Sequence, residues 1–217
     1  LNKVRPVIKP NGSLRLTANF IALNNLVILD KYSLPDMMEM LYKLNDKVYK
    51  TKIDLKDGFY QIHLHPEDRH KTAFRIKNRL YEWTRMPMGF KNSPAVFQRF
   101  MDTILCEEIG RSCFVYVDDI LVFGRTKKEL DEGLRRVLKK LIKAGLIANK
   151  DKIELSKTEI TFLGHRLLNN KIISELDNGQ AIKDLKKLNN VEEVRRFLGT
   201  VNYYRKFIEN CANKLEP

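Results

Sequence analysis

The chain has 217 residues, of which 43% are hydrophobic and 31% are charged, a mix that excludes a disordered tail and allows a sizeable core. Forty Lys and Arg residues against 27 Asp and Glu residues give a formal net charge of +13. A surplus of this size favours a polyanionic partner such as nucleic acid. Charge alone is equally compatible with a solvated basic surface. An anionic membrane is disfavoured, because the sequence shows neither a lipidation signal nor a long amphipathic basic helix.

The cysteines and the apolar runs indicate the kind of cellular compartment in which the chain works. Cys106, Cys113 and Cys211 are odd in number and widely spaced, which argues against a disulfide framework or a zinc cluster and fits a reducing compartment. No apolar run reaches transmembrane length, and no signal peptide precedes the first predicted strand. The chain begins at Leu1 without an initiator Met, so we expect it to be a piece of a longer polypeptide.

In the first half of the chain, short apolar runs alternate with turn signals. Residues 4–24 are interrupted by Pro10-Asn11-Gly12, which predicts a β-hairpin. Ser33 is the predicted N-cap of a helix over residues 37–44. The segments with strand-like patterns are residues 49–55, residues 59–65, in which apolar and polar residues alternate, and a hairpin over residues 72–85 around Lys77-Asn78-Arg79.

The second half begins with Ser93-Pro94, a predicted helix start with proline at the first helical position. Two strongly apolar strands, residues 113–117 and 120–123, are then separated only by Asp118-Asp119. Thr126 and Glu129 form a capping box before a long amphipathic helix. Its apolar face consists of Leu130, Leu134, Val137, Leu138, Leu141 and Ile142, and the chain continues with strands in residues 153–168 and a helix over residues 191–208. This order predicts an α+β fold.

The carboxylates Asp118 and Asp119 lie between two strands that we expect to be buried. Adjacent carboxylates at the edge of a core raise each other's pKa unless a cation neutralises them, and Mg²⁺ is the hard cation that prefers oxygen ligands. Asp54, at the end of the strand over residues 49–55, is the natural third ligand. Three such carboxylates can hold two metal ions roughly 3.5–4 Å apart for phosphoryl transfer. Nucleases and phosphatases use similar sets, and a solvent-exposed acidic turn is the simpler alternative.

The neighbouring motifs are more specific. Tyr116-Val117-Asp118-Asp119 resembles the YxDD box of reverse transcriptases, and residues 52–62, KIDLKDGFYQI, resemble their first catalytic motif. Residues 86–98, MPMGFKNSPAVFQ, resemble the segment between the two, and residues 162–165, FLGH, resemble the primer grip. The residues of these motifs are most similar to those of gypsy-type LTR retrotransposons of the retroviral reverse transcriptase family, and residues 195–208 support the same family. The motifs follow in the family's order across nearly the whole chain.

The resemblance implies a right-hand polymerase fold with an antiparallel palm sheet packed on helices. The implied parts are fingers over residues 1–48, palm over 49–65, fingers over 66–88, palm with primer grip over 89–168, and thumb with the start of the connection over 169–217. We expect the ribonuclease H and integrase parts of the parent Pol polyprotein to lie outside this chain. Oligomeric state is left open.

The resemblance also implies roles for individual residues. Metal ligands would be Asp54, Asp118, Asp119 and the main-chain carbonyl of Leu55. Phe59 would exclude a ribose 2′-hydroxyl, which predicts deoxynucleotides as substrates, although it could equally be a core residue. The implied nucleotide-binding residues are Lys9, Arg15, Asp57, Gly58, Phe59, Met88 and Gly89, and the implied primer and template contacts are Tyr116, Phe162, Leu163, Gly164 and His165. Lys9 and Arg15 could also be solvated hairpin charges.

The implied activity is RNA-directed DNA synthesis for retrotransposon replication. The enzyme would extend a primer with dNTPs on an RNA template and also on a DNA template. Its cofactors would be two Mg²⁺ ions, with Mn²⁺ as a substitute. It predicts a cytoplasmic retrotransposon particle or the nucleus as the location, and no secretion or membrane partner. Relatives usually carry Asp where Asn19 stands and Arg where Ile21 stands. A catalytically weakened or domesticated nucleic-acid-binding module is therefore the alternative.

Overall fold

The computed structural model describes residues 1–8, 12, 14–168, 171–174 and 190–204. Contacts between residues divide the chain into two compact units, residues 1–160 and residues 161–217. The predicted phosphate contact Lys9 and the cysteine Cys211 lie outside the described residues. Within the described residues, no helix is both long enough and apolar enough to cross a membrane.

The first unit begins with an antiparallel hairpin, as predicted. Strand β1 (Lys3–Ile8) pairs with β2 (Leu14–Asn19). A short helix that the sequence pattern did not predict follows, α1 (Ile21–Leu26). The Asn19 side-chain oxygen accepts a hydrogen bond from the Ile21 N–H at 2.9 Å, a local Asx interaction that turns the chain into this helix.

The second helix, α2 (Met37–Tyr42), is capped by Asp36 and not by Ser33. The Asp36 carboxylate accepts the Glu39 N–H at 3.0 Å. The prediction was wrong because Pro35 separates Ser33 from the helix, and a proline biases the residue before it toward extended backbone. Leu34, which would be the first helical residue after a Ser33 cap, is therefore disfavoured in helical backbone.

The segment that follows strand β3 (Tyr49–Asp54) corrects a second prediction. Residues 59–65 alternate apolar and polar side chains like a strand, but the chain forms a 3₁₀ turn over Gly58–Gln61. Asp57 has a φ of 51°, and the Tyr60 N–H donates to the Asp57 carbonyl at 2.8 Å, so the backbone curls immediately after β3. A second 3₁₀ turn, Pro66–Thr72, precedes the predicted hairpin of β4 (Phe74–Ile76) and β5 (Arg79–Tyr81).

Helix α3 (Ser93–Leu105) begins as predicted around Ser93-Pro94, with Asn92 as its N-cap and proline as the second helical residue. Strands β6 (Cys113–Tyr116), β7 (Asp119–Gly124) and β8 (Glu154–Lys157) join β3 in a four-stranded sheet of order β6-β7-β3-β8. Its pairs are all antiparallel, so the predicted antiparallel sheet is confirmed.

Helix α4 (Lys127–Lys143) packs on this sheet. The predicted N-cap is confirmed, because the Thr126 hydroxyl accepts the Glu129 N–H at 3.2 Å. The Glu129 carboxylate accepts the N–H of Arg125, one residue before the cap, at 2.8 Å, so the capping box is formed only in part. The predicted apolar face holds except at its end, where Ile142 is 73% exposed. The hydrophobic core between the sheet, α3 and α4 includes the buried residues Ile53, Leu55, Phe97, Met101, Val115, Ile120, Val122, Leu130, Val137 and Leu141.

The second unit contains most of a three-stranded sheet of order β11-β10-β9. Its strands are β9 (Ile160–Phe162), whose first residue closes the first unit, β10 (His165–Leu168) and β11 (Lys171–Ser174). Helix α5 (Val191–Tyr204) forms the described part of the helix predicted over residues 191–208. The remaining predicted residues of that helix lie outside the described part.

Candidate active site

Pairing between β3 and β7 brings the three predicted carboxylates to one edge of the sheet. Asp54, the last residue of β3, lies directly opposite Asp119, the first residue of β7. The Leu55 N–H donates to the Asp118 carbonyl at 3.3 Å, which holds the β6–β7 turn against the end of β3. Residues more than 60 positions apart in the chain therefore meet at one edge of the sheet.

The turn itself is shifted by one residue from the prediction. Tyr116 pairs with Asp119, so the two turn residues are Val117 and Asp118, and Asp119 already belongs to β7. Val117 has a φ of 55°, whereas Asp118 has no positive φ. Positive φ at the first turn residue alone is typical of a type II′ hairpin turn, in which glycine is usual. A β-branched residue in this conformation is a strained exception of the kind that clusters at functional sites.

Burial and mutual repulsion define the electrostatics of the carboxylates. Burial raises the pKa of Asp118, and the charge of Asp54 raises it further. Burial likewise raises the pKa of Asp119, against an opposing effect of the Lys52 ammonium, which lies 3.8 Å from the Asp119 carboxylate. Carboxyl groups in this state gain most from a cation, because a positive charge offsets both causes of the shift.

Two lysines that the motif analysis missed contact the site. Lys52 lies two residues before Asp54 on the same strand, so the alternation of β3 puts both on one face, a signal that was available in the sequence. Lys152 lies 3.0 Å from the Asp54 carboxylate although the two residues are 98 positions apart. Only tertiary structure could reveal this second ion pair.

The oxygen donors of the three carboxylates suit a hard divalent cation such as Mg²⁺. Among the described residues, no three His, Cys, Asp or Glu side chains are already gathered into a metal-binding cluster, and Asp54 is engaged by Lys152. The three carboxylates therefore suit Mg²⁺ by the chemistry of their donor atoms and by their charge. The Leu55 carbonyl, the fourth predicted ligand, belongs to a buried residue beside the turn.

The backbone of Gly58 lies directly against Asp118. Gly58 is buried, and a Cβ atom placed on it would lie 2.9 Å from the Cβ atom of Asp118. The adjoining Phe59 is half-buried, packs against the main core and meets the Phe97 ring edge-on at a centroid distance of 5.6 Å. Phe59 is therefore a core residue beside the site, so the two interpretations of it from sequence are compatible.

Arg15 on β2 lies near the same site. Its charge lowers the pKa of Asp118 against the dominant effect of burial, and it opposes the burial that raises the pKa of Tyr60. The Tyr60 hydroxyl donates to the Leu16 carbonyl at 3.1 Å, which connects β2 to the 3₁₀ turn over Gly58–Gln61. The Arg15 Nε atom is buried and has no hydrogen-bond partner among the described residues.

The predicted nucleotide contacts Met88 and Gly89 lie in a loop that packs closely against β2 and is hydrogen-bonded to α1. Gly89 has a φ of 86°, and a Cβ atom on it would lie 3.1 Å from the Ala18 carbonyl oxygen. The Asn24 amide donates to the Gly89 carbonyl at 2.9 Å. Gly89 is thus required by both conformation and close approach, and the half-buried Met88 is held beside it.

The predicted primer and template contacts are distributed over both units. Tyr116 lies on β6 opposite Asp119. In the second unit, Leu163 and Gly164 have φ values of 49° and 73° and form the two-residue turn between β9 and β10. Phe162 and His165 flank this turn and are buried, with His165 Nδ1 2.8 Å from the Leu163 carbonyl oxygen. Their contact with nucleic acid stays a prediction.

An antiparallel sheet packed on helices, whose edge presents three carboxylates beside a close-packed glycine, is the arrangement expected in the palm of a right-hand polymerase. Comparison with known proteins supports this class and narrows it. Residues 2–167 match the family model described as reverse transcriptase (RNA-dependent DNA polymerase), and the chain belongs to that family.

Relatives and solved structures agree with this assignment. The chain is 41% identical over 96% of its length to the retrovirus-related Pol polyprotein from transposon opus of Drosophila melanogaster, and 35% identical over 95% to that from transposon gypsy of the same organism. It spans 21% and 20% of these two polyproteins, so about a fifth of their length. The predicted membership of the LTR retrotransposon reverse transcriptases is confirmed.

Among solved structures, the foamy viral protease-reverse transcriptase in complex with double-stranded DNA aligns with a TM-score of 0.86 at 31% identity. That alignment covers 98% of this chain and 37% of the viral one. A second structure of the foamy viral enzyme, in complex with an RNA/DNA hybrid, aligns with a TM-score of 0.77 at 30% identity and covers 94% and 27% of the two chains. The predicted right-hand fold is thereby confirmed, whereas the boundaries of fingers, palm and thumb stay predictions.

Proposed function

We propose that this chain is the polymerase part of a retrotransposon Pol polyprotein and that it performs RNA-directed DNA synthesis, with DNA-templated extension as a second activity. The observation that carries the proposal is the meeting of Asp54, Asp118 and Asp119 at one sheet edge, with the Gly58 backbone packed against Asp118. Family membership supplies the reaction class, and the geometry supplies residues suited to it.

The chain's own residues divide the work. Asp54, Asp118 and Asp119, with the Leu55 carbonyl, would hold two Mg²⁺ ions, or Mn²⁺ in their place. When bound, such ions activate the attacking hydroxyl of the primer and stabilise the leaving oxygen. Lys152 must release Asp54 for that carboxylate to become a ligand, because a carboxylate held 3.0 Å from an ammonium is already neutralised.

Binding of the incoming nucleotide would use the groups around Gly58. Arg15 is suited to the triphosphate, since its planar fork binds phosphate oxygens bidentately and its Nε atom is buried without a partner among the described residues. The amides of Asp57 and Gly58 would face the same phosphates. Phe59, braced by Phe97, would exclude a ribose 2′-hydroxyl, which makes dNTPs the substrates. Met88 and Gly89 would complete the nucleotide site.

The proposed macromolecular partner is a primer–template duplex. The net charge of +13 favours a polyanion, and the similar viral enzymes were solved with double-stranded DNA and with an RNA/DNA hybrid. Tyr116 and the primer-grip residues 162–165 would contact this duplex. We further propose a cytoplasmic retrotransposon particle or the nucleus as the place of action.

The test is primer extension with Mg²⁺ on RNA and DNA templates, comparing dNTPs with ribonucleotides. We expect the unmutated protein to add deoxynucleotides on both templates, and Asp118→Asn to lose the activity. Asp131→Asn, which changes the same functional group on α4 away from the site, is the matched control and should extend normally. Equal extension by Asp118→Asn and the unmutated protein would refute the proposal. Salt-sensitive binding of the duplex without extension would instead favour the binding-module alternative.

A further inference from the structure

A chain of polar side chains connects α3 to the strained turn that carries Asp118. Gln98, on α3, is fully buried. Its side-chain carbonyl accepts the Val117 N–H at 2.7 Å. Its side-chain amide donates to the Val115 carbonyl at 3.2 Å and to the Asp102 carboxylate at 2.8 Å. Gln98 therefore bonds the turn of Val117 and Asp118, the catalytic turn of the proposed polymerase, on one side and the Asp102 carboxylate on the other.

The chain continues from Asp102 to Tyr32. The Tyr32 hydroxyl donates to the second Asp102 oxygen at 2.6 Å, and this bond is the main cause of a raised pKa of Tyr32. The Tyr32 N–H donates to the Asp30 carboxylate at 3.0 Å. Arg99 binds that carboxylate with bonds of 2.5 and 2.6 Å, and its guanidinium lies 5.0 Å from the centre of the Tyr32 ring. Tyr32 is consequently held from both its backbone and its ring.

We propose that Gln98, Asp102 and Tyr32 are positioning residues that fix the catalytic turn, an inference that rests on the proposed polymerase function. Asp102 sets the direction of the Gln98 amide. An ionised carboxylate only accepts hydrogen bonds, so Asp102 compels the NH₂ group of Gln98 to point toward it. The carbonyl oxygen of Gln98 must then point the opposite way, toward the Val117 N–H. Tyr32 occupies the other Asp102 oxygen and holds the carboxylate in place.

The turn has a physical need for this support. Val117 adopts a φ of 55°, a conformation that persists only where the surrounding structure determines it from several sides. Asp118 follows immediately in the chain, so any relaxation of Val117 displaces its carboxylate. Metal-binding and catalytic groups tolerate displacements of only about 0.5 Å. Gln98 thus affects the reaction through the geometry of Asp118, without contacting the reacting atoms.

The first test measures the turn without reference to activity. Amide hydrogen exchange at Val117 reports on the bond to Gln98. We expect exchange at this one amide to be faster by roughly tenfold in Tyr32→Phe and by more in Gln98→Ala. Tyr42→Phe removes a hydroxyl from an exposed tyrosine of α2 and should leave the Val117 rate unchanged. Unchanged exchange at Val117 in Gln98→Ala would overturn the proposal, whether or not the protein polymerises.

The second test uses single-nucleotide extension by the same variants. We expect Tyr32→Phe to lower kcat roughly tenfold and to raise the Mg²⁺ concentration that gives half the maximal rate, with the dissociation constant of the primer–template unchanged. Folded Tyr32→Phe with unaltered kcat and Mg²⁺ dependence would also overturn the proposal. Failure of the unmutated protein to extend a primer would refute the proposed function, and the exchange experiment would still decide this inference.

A pair of isosteric substitutions separates positioning from simple packing. Gln98→Glu retains an acceptor for the Val117 N–H but places a second carboxylate against Asp102, so kcat should fall. Adding Asp102→Asn to Gln98→Glu restores a donor on that side, and part of the lost kcat should return. If Gln98 and Asp102 served only to fill volume in the core, these variants would have the same kcat, since their side chains match in size. Failure of the double variant to exceed Gln98→Glu would contradict the positioning role.

Discussion

Gly58 and Asp118 pack so closely that a Cβ atom on Gly58 would lie 2.9 Å from the Cβ atom of Asp118. This distance is shorter than real Cβ contacts allow, and the atom on the Asp118 side is attached directly to the backbone. It cannot rotate away like the tip of a long side chain. A glycine at position 58 is therefore required by its close contact with the turn of Val117 and Asp118.

We predict that Gly58→Ala loses about 10²-fold in the rate of primer extension, because Asp118 must move by a substantial fraction of an ångström. Overpacking should cost about 1–3 kcal/mol of unfolding free energy, which leaves the protein folded. Gly199→Ala in α5 is the matched control, since open space surrounds Gly199. Normal extension by folded Gly58→Ala would show that the contact is unimportant.

A second prediction concerns the carboxylates without metal. Burial raises the pKa of Asp118, so the folded state prefers its neutral form. The ordinary pKa of this carboxyl group is 3.8, and its pKa in the folded protein is higher. As the pH increases from 3.8 through the folded pKa, Asp118 therefore destabilises the metal-free protein. Asp118→Asn should therefore have a higher Tm than the unmutated protein at pH 7 in EDTA.

Mg²⁺ should reverse that order, because an ion that binds only the folded state stabilises it by mass action. We expect Mg²⁺ to raise the Tm of the unmutated protein and of the Asp131→Asn control, and to raise that of Asp118→Asn much less. Thermal unfolding with and without Mg²⁺ measures both effects. An equal increase in all three proteins would argue against a metal site that includes Asp118.

A third prediction concerns Lys50 on β3, which is only 1% exposed. Its ammonium reaches the Val48 carbonyl at 3.4 Å, a long bond for a buried charge, and burial lowers its pKa. Lys50→Met keeps the length of the side chain and removes the charge, so unfolding should require about 1–3 kcal/mol more. Lys157→Met, which removes an exposed lysine from the paired position on β8, is the control and should change little.

The pH dependence of Lys50 provides a separate check. Unfolded, the lysine titrates near 10.5, whereas the folded pKa is lower, so the unfolded chain binds more protons between the two values. The contribution of this residue to stability therefore increases as the pH rises through that window. Urea unfolding from pH 7 to pH 10 should show that the advantage of Lys50→Met shrinks with pH. A constant difference would contradict the buried charge.

A fourth prediction compares two neighbouring ion pairs on α4. Arg136 lies 3.0 Å from Glu108, whose side chain is 3% exposed, whereas Lys140 pairs with Glu107, whose side chain is 73% exposed. Burial would raise the pKa of Glu108, but hydrogen bonds from Ser112 and Arg136 outweigh it and hold the pKa below its ordinary value.

Arg136→Met should therefore cost about 2 kcal/mol of unfolding free energy, less than for a fully buried pair because Arg136 itself is 39% exposed. Lys140→Met, the control, should have little effect. A carboxyl with a lowered pKa stabilises the fold above its ordinary value of 4.5 and loses that contribution as the pH falls through the folded value. The penalty of Arg136→Met should thus disappear in acid, and a penalty that persists there would indicate lost packing instead.

Local patterns predicted several elements because the interactions that form them are close in the chain. The N-cap at Thr126, the two hairpins and the start of α3 all depend on residues within a few positions of one another. Where a local pattern was ambiguous, prediction failed. Residues 59–65 alternate like a strand, but the left-handed backbone at Asp57 and the contact between Gly58 and Asp118 turn the chain away from the sheet.

By itself, the sequence determined the family and the α+β class and predicted which carboxylates are catalytic, because these are encoded in short motifs whose residues and order are visible without coordinates. Only the tertiary structure decided that the turn residues are Val117 and Asp118, that Lys152 binds Asp54, and that Gln98 accepts the Val117 N–H. These relationships join residues distant in the chain, and a hydrogen bond between them depends on packing that no local pattern records. For this reason Gly58 could be read from its motif, but its contact with Asp118 could not.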